Sequence, residues 1–422
     1  MSATIKKSSA LFLLKGFIFF WLFLAAYRFA AVLHYSLLSP LGSELMPLWI
    51  VGLLIGGEAF LQMLFDVPAG HLVDRYGRKR MLGIGLGAFV IAGLLLMQLS
   101  VVSYIASIVF SLFGWLFFSP AINAYILAHA ERESSGRFLS LRDTFSAIGM
   151  ALASIVLVLV LALTSFQMSF ILVVTFLFAA IFLIASPREK GYTLTEQKLP
   201  AQKFHIRRTF LNKSIRAFKK MNIASRMLSV YSFAAGSFYG TVWFVVPLLI
   251  ASDVQAEVLG IGLAIFDLTV VAFGFLIGSI VDHGNRRLLV FYGLLIFALM
   301  GMSLGLSFGP MFLLFGFLAT TGDETTNLSL WSWLHSLDTE HAHDGETVGA
   351  ISFVEDLGYT VGPILASITF GVFGPTGAIA IGALPLLCVW LGYTFFIRPI
   401  HFSIPVTLIP HMPMRRRHKA YR

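Results

Sequence analysis

The chain has 422 residues, of which 58% are hydrophobic and 12% charged, and its mean hydropathy is +0.85. Soluble domains carry about 25% charged residues, so this composition excludes a soluble globular protein. The net charge of +9 could suggest nucleic-acid binding. However, no soluble domain is present to display that charge, so we expect no nucleic-acid partner.

Twelve apolar stretches follow one another along the chain, each near the roughly 20 residues that a helix needs to cross a bilayer core. The alternation in blocks of about ten residues that is typical of membrane β-barrels is not found. We therefore predict an all-α integral membrane protein with twelve transmembrane helices in two pseudo-symmetric six-helix bundles. A short turn near Ser103 is expected between the third and fourth spans. The predicted spans are 10–38, 46–73, 81–100, 102–129, 138–163, 165–186, 226–250, 256–281, 288–308, 310–335, 346–373 and 376–397.

The basic residues beside these spans all fall on one side of the predicted membrane. Because Lys and Arg near spans stay in the cytoplasm, both termini are expected there, in a plasma (inner) membrane. The basic linker and tail should also contact anionic membrane lipids. The predicted domains are an amino-terminal bundle at 1–186, a basic linker with an amphipathic helix at 187–225, a carboxy-terminal bundle at 226–398 and a basic tail at 399–422.

Two similar polar segments occupy equivalent places in the two halves. GHLVDRYGRKR runs from Gly70 to Arg80 and GSIVDHGNRR from Gly278 to Arg287, with one offset for the glycines (278 − 70 = 208) and the aspartates (282 − 74 = 208). Gly77 permits a tight turn, and Asp74 can face the positive N-terminus of a neighbouring helix. The repeat indicates a duplicated membrane protein with a cytoplasmic hinge.

A second repeat supports the duplication. The residues Gly136, Asp143 and Gly149 match Gly349, Asp356 and Gly362, each displaced by 213 (149 + 213 = 362). These residues lie in the fifth and eleventh spans, which are equivalent if each half has six helices. We predict that four charged residues of these spans are gate partners of the hinge arginines, or alternatively cavity residues; they are Arg142, Asp143, Glu355 and Asp356.

Twelve spans, a basic central linker and the first hinge together resemble the major facilitator superfamily of secondary transporters. The residues in matching places are Gly70, Asp74, Arg75, Gly77, Arg78 and Lys79, and the shorter second copy keeps Gly278, Asp282, Gly284, Arg286 and Arg287. The resemblance implies that Asp74 latches against the start of the eleventh span and Asp282 against the start of the fifth, which closes the cytoplasmic side in one state. A topology anchor without a gating role is the alternative.

Several ionisable residues lie within the spans, where a charge at the centre costs about 2.5 to 3.5 kcal/mol or more. Glu58 precedes Gly70 by twelve residues and Asp267 precedes Gly278 by eleven, which places both roughly 17 Å from the hinges, near the midplane. We predict that Glu58, Asp267 and Asp323 or Glu324 bind protons and face a substrate cavity, with Arg28 as their counter-charge or as a substrate ligand. Structural hydrogen bonds and ion pairs are the alternative for all of them.

The sequence thus favours a secondary active transporter that moves a small organic solute by alternating access. Proton coupling is expected, as in an antiporter, with efflux favoured over import. An uncoupled facilitative transporter is one alternative and a membrane-embedded lipid-modifying enzyme is another, but we expect no enzyme activity. His341 and His343 could suggest a metal site, yet a solvated acidic loop is favoured, so neither a metal nor a cofactor is predicted. The protein is expected to act as a monomer.

Overall fold

The computed structural model describes residues 18–129, 135–163, 165–185, 221–252, 255–306, 308–337 and 345–396, and its regular structure there is helical. The last helix, Gly345–Phe396, is interrupted at Gly374, whose φ of 68° and ψ of −174° are not helical. We number its two arms α11 (345–373) and α12 (375–396). The preceding helices are α1 (Ile18–Leu45), α2 (Leu48–Tyr76), α3 (Arg78–Leu96), α4 (Val101–His129), α5 (Ser135–Leu163), α6 (Phe166–Ala185), α7 (Ile223–Ala251), α8 (Ala256–His283), α9 (Arg286–Ser303) and α10 (Pro310–Leu337).

Ten segments of the described chain are long and apolar enough to cross a membrane. One of these, Ala350–Phe395, contains both α11 and α12, and α10 is not among the ten because polar residues interrupt its apolar sequence. The helices follow the twelve predicted spans in order. The predicted fold class, an all-α integral membrane protein, is therefore confirmed.

Several predicted boundaries differ from the structure, and three of them have a local explanation. Helix α1 continues to Leu45, beyond the predicted end at 38, because it accommodates Pro40 within its last turns. Helix α7 begins at Ile223, inside the predicted linker, since the Asn222 side chain caps it by accepting a hydrogen bond from the Ser225 amide at 2.8 Å. The turn between α3 and α4 lies before Ser103, which is already within α4.

Some predicted features lie outside the described residues. They include most of the linker and its amphipathic helix, at 187–220, and the basic tail. His341 and His343 also lie outside them, as does the side chain of Asp74 within α2. The amphipathic helix, the tail and the histidine loop therefore stay predictions.

The two bundles meet most closely near the start of α2 and α8. A Cβ atom built on Gly56 of α2 would lie 2.5 Å from the Thr360 carbonyl oxygen of α11, and one on Gly260 of α8 would lie 3.2 Å from the Ser154 carbonyl oxygen of α5. Glycine is needed at these positions because the helix backbones approach too closely for a side chain. The two bundles are thus held together at the end opposite the hinges.

The glycines that begin the two hinges make no close interhelical contact. Cβ atoms built on Gly70 of α2 and Gly278 of α8 would meet nothing within 4 Å. At the opposite end, the Ser39 hydroxyl of α1 donates a hydrogen bond to the Phe244 carbonyl of α7 at 2.9 Å. The structure therefore shows a conformation that is closed at the end opposite the hinges.

Candidate functional site

Two adjoining cavities of about 440 and 410 Å³ lie between the bundles. Arg28, Trp243 and Tyr359 line both of them, so the cavities meet around these three side chains. Five of the predicted residues also contact the cavities, with Arg142, Asp143 and Asp267 in the first and Glu58 and Asp356 in the second. The fold therefore brings residues from α1, α2, α5, α8 and α11 to one central site.

Glu58 is buried on α2, with 4% of its surface exposed. Its Oε1 accepts a hydrogen bond from the Tyr35 hydroxyl of α1 at 2.6 Å. The Tyr35 ring also packs against Trp115 of α4, with their ring centroids 5.9 Å apart. The indole and the carboxylate therefore fix the position of Tyr35 between α2 and α4.

Asp323 is bound by two tyrosines of α7. Its Oδ2 accepts a hydrogen bond from the Tyr239 hydroxyl at 2.7 Å, and its Oδ1 accepts one from the Tyr231 hydroxyl. Tyr239 lines the first cavity, whereas neither Asp323 nor Glu324 lines either of the two cavities. Asp323 is therefore connected to the cavity through Tyr239. Glu324 instead points towards α8, where its Oε1 lies 3.8 Å from a Cβ built on Gly274.

Arg28 and Asp267 are positioned differently from these two acids. Arg28 Nε and Asp267 Oδ2 are both buried, and neither has a hydrogen-bond partner. No salt bridge joins Arg28 to an acid among the residues that the structure describes, and its role as their counter-charge stays a prediction. Both side chains line the first cavity, where a bound molecule can reach them.

Three of the four predicted gate residues line the cavities. Arg142 Nη2 contacts the neighbouring Asp143 Oδ1 at 2.7 Å, and both residues line the first cavity. Asp356 lines the second cavity. Glu355, the preceding residue of α11, is half-buried. This arrangement corresponds to the alternative in which these residues belong to the cavity in the conformation described.

The hinge residues lie at the end of the molecule opposite the close contacts of Gly56 and Gly260. Gly77 links α2 and α3 with a φ of 92°, a backbone conformation that favours glycine. The guanidinium of Arg75 lies 5.4 Å from the Tyr76 ring, and that of Arg287 lies 5.2 Å from the Trp333 ring. Asp282 is exposed. The latches of Asp74 and Asp282 stay predictions for the opposite conformation. The other predicted hinge residues in the described chain are Gly70, Arg78, Lys79, Gly278, Gly284 and Arg286.

The tyrosines that bind the buried acids were not predicted. Tyr27 and Tyr35 of α1 correspond to Tyr231 and Tyr239 of α7, with one offset (231 − 27 = 204 and 239 − 35 = 204). The signal was therefore present in the sequence as a pair of tyrosines eight residues apart in each half. On a helix this spacing places both side chains near the same face.

The partners of the two tyrosine pairs differ between the halves. Tyr27 and Tyr35 pack around Trp115 of α4, with centroid distances of 6.2 and 5.9 Å. At the equivalent position of α10 (115 + 208 = 323), the partner of the second pair is Asp323. An indole in one half thus takes the place of a carboxylate in the other.

A helical membrane protein whose two halves enclose a central cavity with charged side chains in its wall has the architecture of a solute transporter. The family model described as Major Facilitator Superfamily matches residues 8–343. The chain belongs to this superfamily, whose fold is that of transporters rather than of enzymes.

Solved transporters share this fold. The human organic anion transporter MFSD10 (TETRAN) superposes with a TM-score of 0.61 at 15% identity, covering 89% of this chain and 98% of that one. A POT family transporter in complex with a thioalcohol-conjugated peptide has a TM-score of 0.72 at 12% identity, covering 91% and 96%. The nucleoside transporter NupG has a TM-score of 0.68 at 14% identity, covering 90% and 99%. None of the curated proteins matches the chain in sequence.

Proposed function

We propose that the protein is a secondary active transporter that moves a small organic solute by alternating access and couples this movement to protons. Glu58 and Asp323 are the proposed proton-binding groups. The observation that carries the proposal is that each is an acid within a membrane helix, bound by a tyrosine hydroxyl whose side chain borders the central cavity. Ionisable residues kept within spans are costly, and they commonly mark ion or proton pathways.

Proton binding has a direct physical consequence for these residues. A carboxylate can accept the tyrosine hydrogen bond with or without a proton, so protonation changes its charge without removing this contact. The neutral form costs less to hold in a closed, dry cavity than the charged form. The proton can therefore stabilise one conformation of the two bundles over another, which is the requirement for coupling.

The nature of the solute is proposed from the cavity and from the shared fold. The cavities have volumes typical of sites for small organic molecules, which are about 300–1,000 Å³. The similar transporters are described as carrying organic anions or nucleosides, or as binding a peptide conjugate. We place the basic hinge end in the cytoplasm of a plasma membrane, so that the conformation described is closed towards the outside.

Proton coupling can be tested in liposomes that contain the purified protein and an internal pH-sensitive dye. Candidate organic anions, dipeptides and nucleosides are added with the pH gradient imposed in either direction, so that one assay assigns both coupling and direction. We expect solute-dependent proton movement that Glu58→Gln and Asp323→Asn abolish. Glu44→Gln and Glu257→Gln are matched controls, because both acids are exposed near the ends of helices. Solute flux that ignores the gradient and survives Glu58→Gln with Asp323→Asn would refute coupling and favour a facilitative transporter.

A further inference from the structure

We propose that the substrate is a small zwitterion, with its anionic group bound by Arg28 and its ammonium group bound by Asp267. The inference rests on the proposed transport function and names the chemical class of its solute. Arg28 lies on α1 of the amino-terminal bundle and Asp267 on α8 of the carboxy-terminal bundle. A zwitterion bound between them would contact both halves of the transporter.

Unsatisfied hydrogen-bonding atoms support this assignment. Arg28 Nε and Asp267 Oδ2 are buried in the wall of the same cavity without a hydrogen-bond partner. A buried polar atom without a partner is destabilising, so such atoms in a cavity indicate where a ligand or water supplies the missing contact. The two atoms belong to side chains of opposite charge that both line the cavity, so a single zwitterion can bind both side chains.

The other charged side chains of the first cavity already have partners. In the first cavity, Arg142 and Asp143 form a salt bridge with each other. In the second, Glu58 accepts the hydrogen bond from Tyr35. Arg28 and Asp267 are thus the charged groups of the first cavity that the structure leaves open to a ligand.

The geometry also explains why a singly charged solute fits less well. An organic cation would satisfy Asp267 but would leave the Arg28 guanidinium unpaired and would be repelled by it. An organic anion would satisfy Arg28, where a carboxylate can accept two hydrogen bonds, but would leave Asp267 unpaired. The aromatic walls, including Phe118, Trp243 and Phe266, provide apolar surface for a side group.

Binding to purified protein tests this selectivity directly, with tryptophan fluorescence as the signal because Trp243 lines both cavities. The probes form three matched sets, built on phenylalanine, leucine and alanyl-phenylalanine. Each set contains the zwitterion, its methyl ester without the anionic group, and its des-amino acid without the ammonium group. We expect at least one zwitterion to bind about tenfold or more tightly than both of its analogues, the size expected for losing one charged hydrogen-bonding contact.

The variants separate ligand contact from a structural role. Arg28→Gln should abolish the preference for the zwitterion over its ester, and Asp267→Asn should abolish the preference over the des-amino acid. If either residue has only a structural role, its substitution should weaken the binding of all three members of a set equally. Arg226→Gln and Glu257→Gln, which change exposed residues, should keep the preference of the unmodified protein.

Two results would overturn the proposal, namely tighter binding of an ester or a des-amino acid, or no zwitterion preference in any of the sets. Its failure is distinguishable from failure of proton coupling. Proton-coupled flux of a singly charged solute would keep the transport function and refute the zwitterion. Zwitterion binding that requires Arg28 and Asp267, together with flux that ignores the pH gradient, would keep this inference and refute the coupling.

Discussion

The close contact between α2 and α11 allows a specific prediction about the closed end. A Cβ built on Gly56 would lie 2.5 Å from the Thr360 carbonyl oxygen and 2.7 Å from Ile364 Cγ1. The carbonyl oxygen belongs to the helix backbone and cannot rotate away, so Gly56→Ala requires the two helices to separate. We therefore expect this substitution to destabilise the conformation described relative to the one that opens at this end.

The neighbouring Gly57 is a matched control, because a Cβ built there would meet nothing within 4 Å. Both substitutions bring the same gain in helix propensity, about 1 kcal/mol, so the difference between them isolates the contact. Adding a methyl group to a tightly packed site costs about 1–3 kcal/mol. This cost would shift the equilibrium between the two conformations by about 5- to 150-fold.

Spin labels at the closed end can measure this shift. Cys388 is the only cysteine, so Cys388→Ser provides a background in which Glu44→Cys on α1 and Glu257→Cys on α8 carry the labels. Double electron–electron resonance should show a longer distance population that grows in Gly56→Ala and is unchanged in Gly57→Ala. Equal distance distributions for the two variants would refute the argument that Gly56 holds this end closed.

Two further predictions use the same reasoning. Gly260→Ala should also lengthen the distance between the labels, because the added Cβ would lie 3.2 Å from the Ser154 carbonyl oxygen. Gly87→Ala on α3 is the control, because a Cβ there would meet nothing within 4 Å, and it should leave the distance unchanged. Tyr239→Phe should lower solute-driven proton flux by about tenfold, since it removes one of the hydrogen bonds to Asp323, but by less than Asp323→Asn. A variant Tyr239→Phe with unchanged flux would exclude the proposed connection from the cavity to Asp323.

Much of the fold was predictable because a membrane constrains a chain strongly. The length of the apolar stretches fixed the number and order of the helices. The boundaries were harder to predict at Pro40, which reads as a helix end but lies within α1. Asn222 was assigned to the linker from the sequence, but its side chain caps α7. In both places a local backbone detail decides where the helix begins or ends, and hydropathy does not report it.

The sequence predicted the acidic residues of the candidate site but not the residues that bind them. The cost of charge in a membrane singles out Glu58, Asp267 and Asp323 in any apolar sequence. Which of these acids accepts a hydrogen bond from a tyrosine depends on how α1 and α7 are rotated relative to their neighbours. Hydropathy carries no information on this rotation. The same limit left Asp323 and Glu324 equivalent in the sequence, although only Asp323 contacts the α7 tyrosines in the structure.

The broken symmetry between the halves explains why the acids have different proposed roles. In the amino-terminal half Trp115 occupies the position equivalent to Asp323, and Tyr35 contacts both this indole and Glu58 on α2. In the carboxy-terminal half Tyr239 is bound to Asp323 on α10 instead. With the offset of 208 that relates the hinges, the position of α8 equivalent to Glu58 holds Phe266 (58 + 208 = 266), whose ring centroid lies 6.2 Å from that of Tyr239. Asp267 is the next residue, and its Oδ2 has no hydrogen-bond partner. Two differences between the halves, Trp115 against Asp323 and Glu58 against Phe266, thus move the tyrosine-bound acid from α2 to α10. Asp267 is left as the acid that we propose binds the solute.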